Sequence, residues 1–191
     1  MIKVGITGSL ASGKTTASKI LSAGRGPFFS ADAVVKKLYT KNKFKKIVIK
    51  NFNLKNSFNI KKLMKEKIIE DQSNIQKLEK IVHPLVRKEM QKFIKKNKKK
   101  KFIFFEIPLL IENNLTNIFD VIFYIKAKKS IRLKRFKLKG GKISTFNILN
   151  SKQLSDVKKG KYCDHIIVNE KNIKILKKNL SVIFKKYEWN I

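Results

Sequence analysis

Short apolar runs alternate along the chain with longer stretches in which apolar residues recur at helical spacing. Five of the runs read as buried strands: Lys3–Thr7, Pro27–Ser30, Phe102–Glu106, Val121–Ile125 and His165–Val168. Strands that alternate with helices build a parallel sheet with right-handed crossovers. From about residue 36 to 100 the alternation stops, and the pattern is that of several helices inserted between the second and third strands. Asn59 is suited to cap a helix beginning at Ile60. The stripe Ile75, Leu78, Ile81, Val82, Leu85, Val86, Met90 and Phe93 predicts a further helix, which Pro84 should kink or break. A helical stretch over residues 130–153, interrupted at Gly140-Gly141, reads as a small mobile lid between the fourth and fifth strands. Ile173, Leu176, Leu180, Ile183 and Phe184 form the inner face of a last helix packed on the sheet.

The expected architecture is therefore α/β in one domain, with a five-stranded parallel sheet. The core takes about residues 1–35, 101–129 and 159–191, the helical insertion about 36–100 and the lid about 130–158.

Composition agrees with a packed domain: the chain has 191 residues, of which 42% are hydrophobic and 10% aromatic. No segment is apolar and long enough to span a bilayer, and the first strand starts without a secretory leader, so a cytoplasmic protein with no membrane partner is expected. Cys163 is the only cysteine, which excludes an internal disulfide. The net charge of +33 points first to nucleic acid. Yet only Arg25, Arg87, Arg132 and Arg135 among 46 basic residues are arginine, and the lysines travel with Asn, Ile and Phe. All four types have A- and T-rich codons, so base composition accounts for the excess, and no specific nucleic-acid partner is expected. Arginines that persist in so lysine-biased a chain mark places where a planar guanidinium fork is needed.

One motif carries chemistry outright. Gly8-Ser-Leu-Ala-Ser-Gly13-Lys14-Thr15 fits the phosphate-loop pattern G-x-x-x-x-G-K-[ST] without a mismatch, between a strand and a helix start. Glycines let the backbone curl so that N–H groups face phosphate oxygens, with the helix N-terminus behind them. Ala11, Ser12, Gly13 and Thr16 belong to this cradle with Gly8. Lys14 is expected at the β- and γ-phosphates and Thr15 at Mg²⁺. Candidate residues Asp32, Glu106 with Pro108, and Asn169 all follow strands, at the carboxyl ends where such sheets bind ligands.

Ser30-Ala31-Asp32, the block from Leu78-Glu79 to His83-Pro84-Leu85-Val86-Arg87, the block Glu106-Ile107-Pro108-Leu109-Leu110-Ile111-Glu112, the lid opening Arg132-Leu133-Lys134-Arg135 and the fifth strand ending in Asn169 come in an order that resembles dephospho-CoA kinase, from about residue 2 to 170. The resemblance implies a three-layer P-loop kinase fold with a helical substrate-binding insertion and a small helical lid. It implies transfer of the ATP γ-phosphoryl group to the ribose 3′-hydroxyl of dephospho-CoA, the last step of coenzyme A synthesis, with Mg²⁺ as the metal. On that resemblance Asp32 is the catalytic base; Lys14, Arg132 and Arg135 stabilise transferring charge; Arg135 and Asn169 also contact ATP. Likewise His83, Arg87, Pro108, Leu109 and Glu112 with Asp32 face the acceptor, and Glu106 with Thr15 holds the metal, directly or through water. The chain departs from the family pattern at Glu106 and Ser30, where Asp is usual, and lacks arginines near Ile60 and Leu149. Another small P-loop kinase acting on a nucleoside or nucleotide, a nucleic-acid-stimulated ATPase and a non-catalytic nucleotide binder are the competing readings.

Overall fold

The computed structural model describes residues 1–54 and 59–189; residues 55–58, within the expected insertion, and 190–191, within the expected core, lie outside the described residues. The five runs form strands β1 (Ile2–Gly8), β2 (Phe28–Ser30), β3 (Phe102–Glu106), β4 (Val121–Lys126) and β5 (His165–Val168), each within a residue of its expected bounds. All pairings are parallel, in the order β2-β3-β1-β4-β5. β1, β3 and β4 are almost wholly buried, which is why their sequences are continuous apolar runs rather than alternating ones. The central position of β1 brings its carboxyl end between those of β3 and β4, with Ile6 level with both Glu106 and Phe123.

The chain divides into two compact units: residues 1–30 with 97–191, and residues 31–96. In the first, helices α1 (Lys14–Ser22) and α9 (Ile173–Trp189) cover one sheet face. Their contact is built on Ala17, Leu21, Leu176, Leu180 and Phe184 against Val4, Ile6, Phe104 and Phe123. Phe184 stacks at 5.1 Å from Phe102 and 5.5 Å from Phe104. Arg25 clamps this helix from outside, with Nε 2.6 Å from Glu188 and its guanidinium over the Phe184 ring. The remaining helices of this unit, α6 (Lys129–Leu138), α7 (Ile143–Ser151) and α8 (Asp156–Gly160), lie between β4 and β5, and Gly140 turns the chain between the first two at φ 78°.

The second unit is helical throughout its described residues: α2 (Ala31–Leu38), α3 (Asn42–Phe52), α4 (Ile60–Glu70) and α5 (Ser73–Lys96). It has a core of its own around Leu38, Phe44, Val48, Ile60, Met64 and Val82. Asn59 caps α4 as expected, its side chain accepting from the Lys62 N–H at 3.2 Å. Pro84 does not break its helix: α5 runs unbroken through it for 24 residues. Proline removes one backbone hydrogen bond of the ladder. Ile81, Val82, Leu85 and Val86 on either side pack into the second core and hold the helix across the gap. No helix among the described residues is long and apolar enough to cross a membrane.

Candidate active site

The phosphate loop leaves the carboxyl end of β1 and enters α1 directly. Its curl falls at Ala11 (φ 60°) and Gly13 (φ 97°), not at Gly8. Gly8 is required for space: a Cβ there would stand 2.5 Å from the Ile125 carbonyl and 2.6 Å from Ser12 Oγ. A Cβ at Gly13 would strike the Asn169 amide. The Ser12 N–H closes the turn on the Ser9 carbonyl at 3.1 Å. Two left-handed residues within a turn make the concave run of N–H groups that suits an anion, and α1 adds its positive end. Lys14 opens that helix with Nζ 3.3 Å from the Ser9 carbonyl. Thr15 and Thr16 follow it, both exposed.

Glu106 ends β3 and is buried, with 1% of its surface exposed. One carboxylate oxygen accepts a short hydrogen bond from the Thr15 hydroxyl, and the other accepts from Ser30 Oγ at 3.1 Å. The longer Glu side chain and the shorter Ser30, both departures from the family pattern, thus meet each other. The β2–β3 register sets them directly opposite.

Both arginines of α6 reach the loop from the opposite side. Arg132 is buried; its Nε donates to the Ala127 carbonyl at 3.1 Å and its Nη1 to Asn150 at 2.8 Å and the Leu10 carbonyl at 3.4 Å. Phe146 lies under its guanidinium at 5.8 Å. Arg135, one turn on, donates from Nη1 to the carbonyls of Ser12 (3.3 Å) and Asn169 (3.0 Å). Asn169 itself donates from Nδ2 to Ser12 O at 2.8 Å. Arg132 thus uses two of its nitrogens, and Arg135 one, to tie backbone carbonyls of the loop and its neighbours.

Beyond β3, residues 108–114 are a series of turns. Thr7 Oγ1 donates to the Pro108 carbonyl at 3.2 Å, and Asn113 donates to that of Leu109 at 2.7 Å. Glu112 faces the chain after α7: its Oε1 accepts from the Leu154 N–H at 3.1 Å and lies 2.9 Å from Lys159 Nζ. Lys159 is fully buried, and Glu112 Oε2 accepts no hydrogen bond among the described residues. Removing one member of a buried ion pair leaves the other uncompensated, at a cost of about 3–5 kcal/mol. Lys159→Met should therefore lower the melting temperature by several degrees, and Glu112→Gln in the same chain should restore part of the loss, as read by thermal unfolding.

In the helical unit, Asp32 lies in the first turn of α2, which starts at Ala31. It is exposed. His83 (half-buried) and Arg87 (exposed) lie four apart on α5 and share a face.

Sequence reasoning missed a partly buried polar cluster at the loop. Ser9 Oγ and Tyr124 Oη, 3.1 Å apart, both donate to Asp156 Oδ1, at 2.8 and 2.5 Å. Beside them the Leu10 N–H donates to Gln153 Oε1 at 2.9 Å. Burial pushes the Asp156 carboxyl up. The hydrogen bonds from Tyr124 and Ser9 and the charges of Arg132 and Lys159 outweigh it and hold the carboxyl below its ordinary value. Burial and the bond to Asp156 raise the Tyr124 phenol well above the usual range. The available signal was a tyrosine in an otherwise apolar strand, since a buried phenol needs a partner.

With this geometry in view, known proteins supply the remaining comparison. The model of the dephospho-CoA kinase family matches residues 2–174. The chain belongs to that family. It is 31% identical to dephospho-CoA kinase of Rickettsia typhi, over the whole of both chains. It is 32% identical to that of Fusobacterium nucleatum, over 93% of this chain and 94% of the relative. Among solved structures, dephospho-CoA kinase from Campylobacter jejuni superposes with a TM-score of 0.69 at 24% identity, covering 99% of this chain and 98% of its own. A shikimate kinase from Acinetobacter baumannii shares the fold at a TM-score of 0.57 and 12% identity. The fold is that of the P-loop kinases, and the family's reaction is the ATP-dependent phosphorylation of dephospho-CoA that completes coenzyme A synthesis.

Proposed function

We propose a division of labour for this reaction among the residues described. Residues Gly8 to Thr16 cradle the ATP phosphates, with Lys14 supplying a mobile charge to the β- and γ-phosphates. Arg135 and Asn169 border the nucleotide from the α6 and β5 sides, and Arg132 and Arg135 support the charge of the transferring group. Asp32 takes the proton of the ribose 3′-hydroxyl as it attacks the γ-phosphorus in line. His83, Arg87, Pro108 and Leu109 serve the acceptor. Glu112 joins them through the segment it anchors, since its carboxylate is engaged by Lys159 and Leu154. The helical unit is the acceptor-binding insertion, and residues 130–158 are the lid. The surroundings are cytoplasmic.

The donor set suits Mg²⁺. Thr15 and Glu106 offer two adjacent hard oxygen ligands. Among the described residues no three His, Cys, Asp or Glu side chains converge on one point. Mg²⁺ keeps waters and substrate phosphates rather than a protein cage, so two protein oxygens can suffice for it. When bound, the ion would neutralise charge on the β- and γ-phosphate oxygens.

The observation that carries this reading is the phosphate loop itself, with Thr15 bonded to a buried carboxylate at the end of the neighbouring strand. A coupled assay of ADP release from Mg-ATP should respond to dephospho-CoA, with coenzyme A as product, and not to adenosine, AMP or single-stranded RNA. A response to RNA alone would favour the nucleic-acid-stimulated ATPase, the reading that the charge of +33 would then support.

A further inference from the structure

We infer that Asp156 is a positioning residue for ATP: through Ser9 and Tyr124 it holds the first turn of the phosphate loop in the shape that receives phosphate. The inference rests on the reading of that loop as the ATP site.

Ser9 and Leu10 are the residues on which the loop turns away from β1. Four side chains grip them from outside the loop. Asp156 binds the Ser9 hydroxyl, Tyr124 supports the same carboxylate oxygen, Gln153 takes the Leu10 N–H, and Arg132 takes the Leu10 carbonyl. Ser9 is 2% exposed and Tyr124 is fully buried, so the loop side of these bonds is shielded from water while Asp156 and Gln153 are half-buried. The Ser9 carbonyl meanwhile accepts from the Ser12 N–H and faces Lys14 Nζ. Ser9 therefore joins two systems: its side chain is fixed by Asp156, and its backbone closes the curl that presents Ala11 and Gly13.

Charge makes the placement informative. A carboxylate under an anion site repels the ligand unless it is neutralised and serves geometry. Asp156 meets both conditions, with two hydroxyl donors and the nearby cations Arg132 and Lys159. Its role is pre-organisation: a loop already fixed loses less freedom when phosphate binds. Asp156 reaches no reacting atom in this scheme, so its loss acts on ATP binding before it acts on chemistry.

The test compares Asp156→Ala, Ser9→Ala and Tyr124→Phe with the parent enzyme, and with Lys14→Ala as control. KM for ATP and for dephospho-CoA, kcat, and direct ATP binding by equilibrium dialysis are measured. Asp156→Ala and Ser9→Ala, each of which removes one end of the Ser9–Asp156 bond, should each raise KM and Kd for ATP about tenfold, with KM for dephospho-CoA within twofold and kcat within threefold. The double variant should be no worse than the weaker-binding single one, because both cut one chain of contacts. Ser9→Thr, which keeps the hydroxyl, should recover most of the affinity. A role in stability alone would lower kcat through the active fraction and leave KM for ATP unmoved, and that result overturns the proposal. If Asp156→Ala does not fold, Ser9→Ala and Tyr124→Phe decide it by the same readings. An ATP affinity that Lys14→Ala also leaves unchanged overturns the loop assignment and this proposal together. One that falls in Lys14→Ala but holds in the Asp156 and Ser9 variants overturns this proposal alone.

Discussion

Lys14→Ala should lower kcat/KM by about 10³-fold or more, in the range found when one pre-organised charge donor is removed from a transition state. The chain should fold as before. Lys14 is half-buried on the first residue of α1, and its ammonium rests 3.3 Å from a backbone carbonyl. Replacements of this kind usually move stability by no more than about 1 kcal/mol, or about 2–4 °C in a chain of this size. The loss cannot be assigned to the overall field. The substitution removes one unit from a net charge of +33, and at physiological ionic strength charges more than about 8 Å apart are largely screened. What is removed is a charge on a flexible stem whose root is fixed by the loop and whose head can move to the phosphates. Two measurements separate these causes: steady-state kinetics in rising salt, and circular dichroism through the thermal transition. A deficit that persists at high salt, in a chain that melts as the parent does, is the expected result. Full activity would remove Lys14 from the site.

Most of the sheet was legible because buried parallel strands must be apolar throughout. Runs such as Phe102-Ile-Phe-Phe-Glu106 have few other ways to fold. The phosphate loop was legible because its spacing follows from local backbone geometry, although the reason for Gly8 was not: it is space against Ile125 and Ser12 rather than freedom of φ. The contacts that hold the loop were not legible. Ser9, Tyr124 and Asp156 lie 115 and 147 positions from one another along the chain on the Ser9 side, and no periodicity links them. Asp156 also has a sufficient local explanation that hides its distant one. Ser155 caps α8, accepting from the Lys158 N–H at 3.3 Å, so Ser-Asp there reads as an ordinary helix start. Arg132 was singled out for its fork, but its burial against Phe146 depends on the packing of α6 on α7, which no local pattern contains. Pro84 misled for a related reason: its local cost is real, and the second core offsets it.

Asp32→Asn should reduce kcat by about 10²–10⁴-fold, the span typical of lost general-base catalysis, with KM for both substrates little changed. Asn keeps the size of the side chain and its acceptor oxygen, so it preserves hydrogen bonding to the acceptor hydroxyl while removing the capacity to take its proton. Stability should move little. Asp32 is exposed, and its interaction with the N-terminal end of α2 is worth about 0.3–1 kcal/mol. Asp32→Glu should retain part of the activity, because the proton acceptor survives and only its reach is altered. Ser30, two residues earlier, sharpens the test. Its hydroxyl is bonded to Glu106, so the carboxylate at 106 is engaged on both oxygens and is poorly placed to take over as base. Near-normal turnover in a folded Asp32→Asn variant would therefore exclude a carboxylate base at Asp32 and leave the acceptor proton to be carried by the phosphate oxygens themselves.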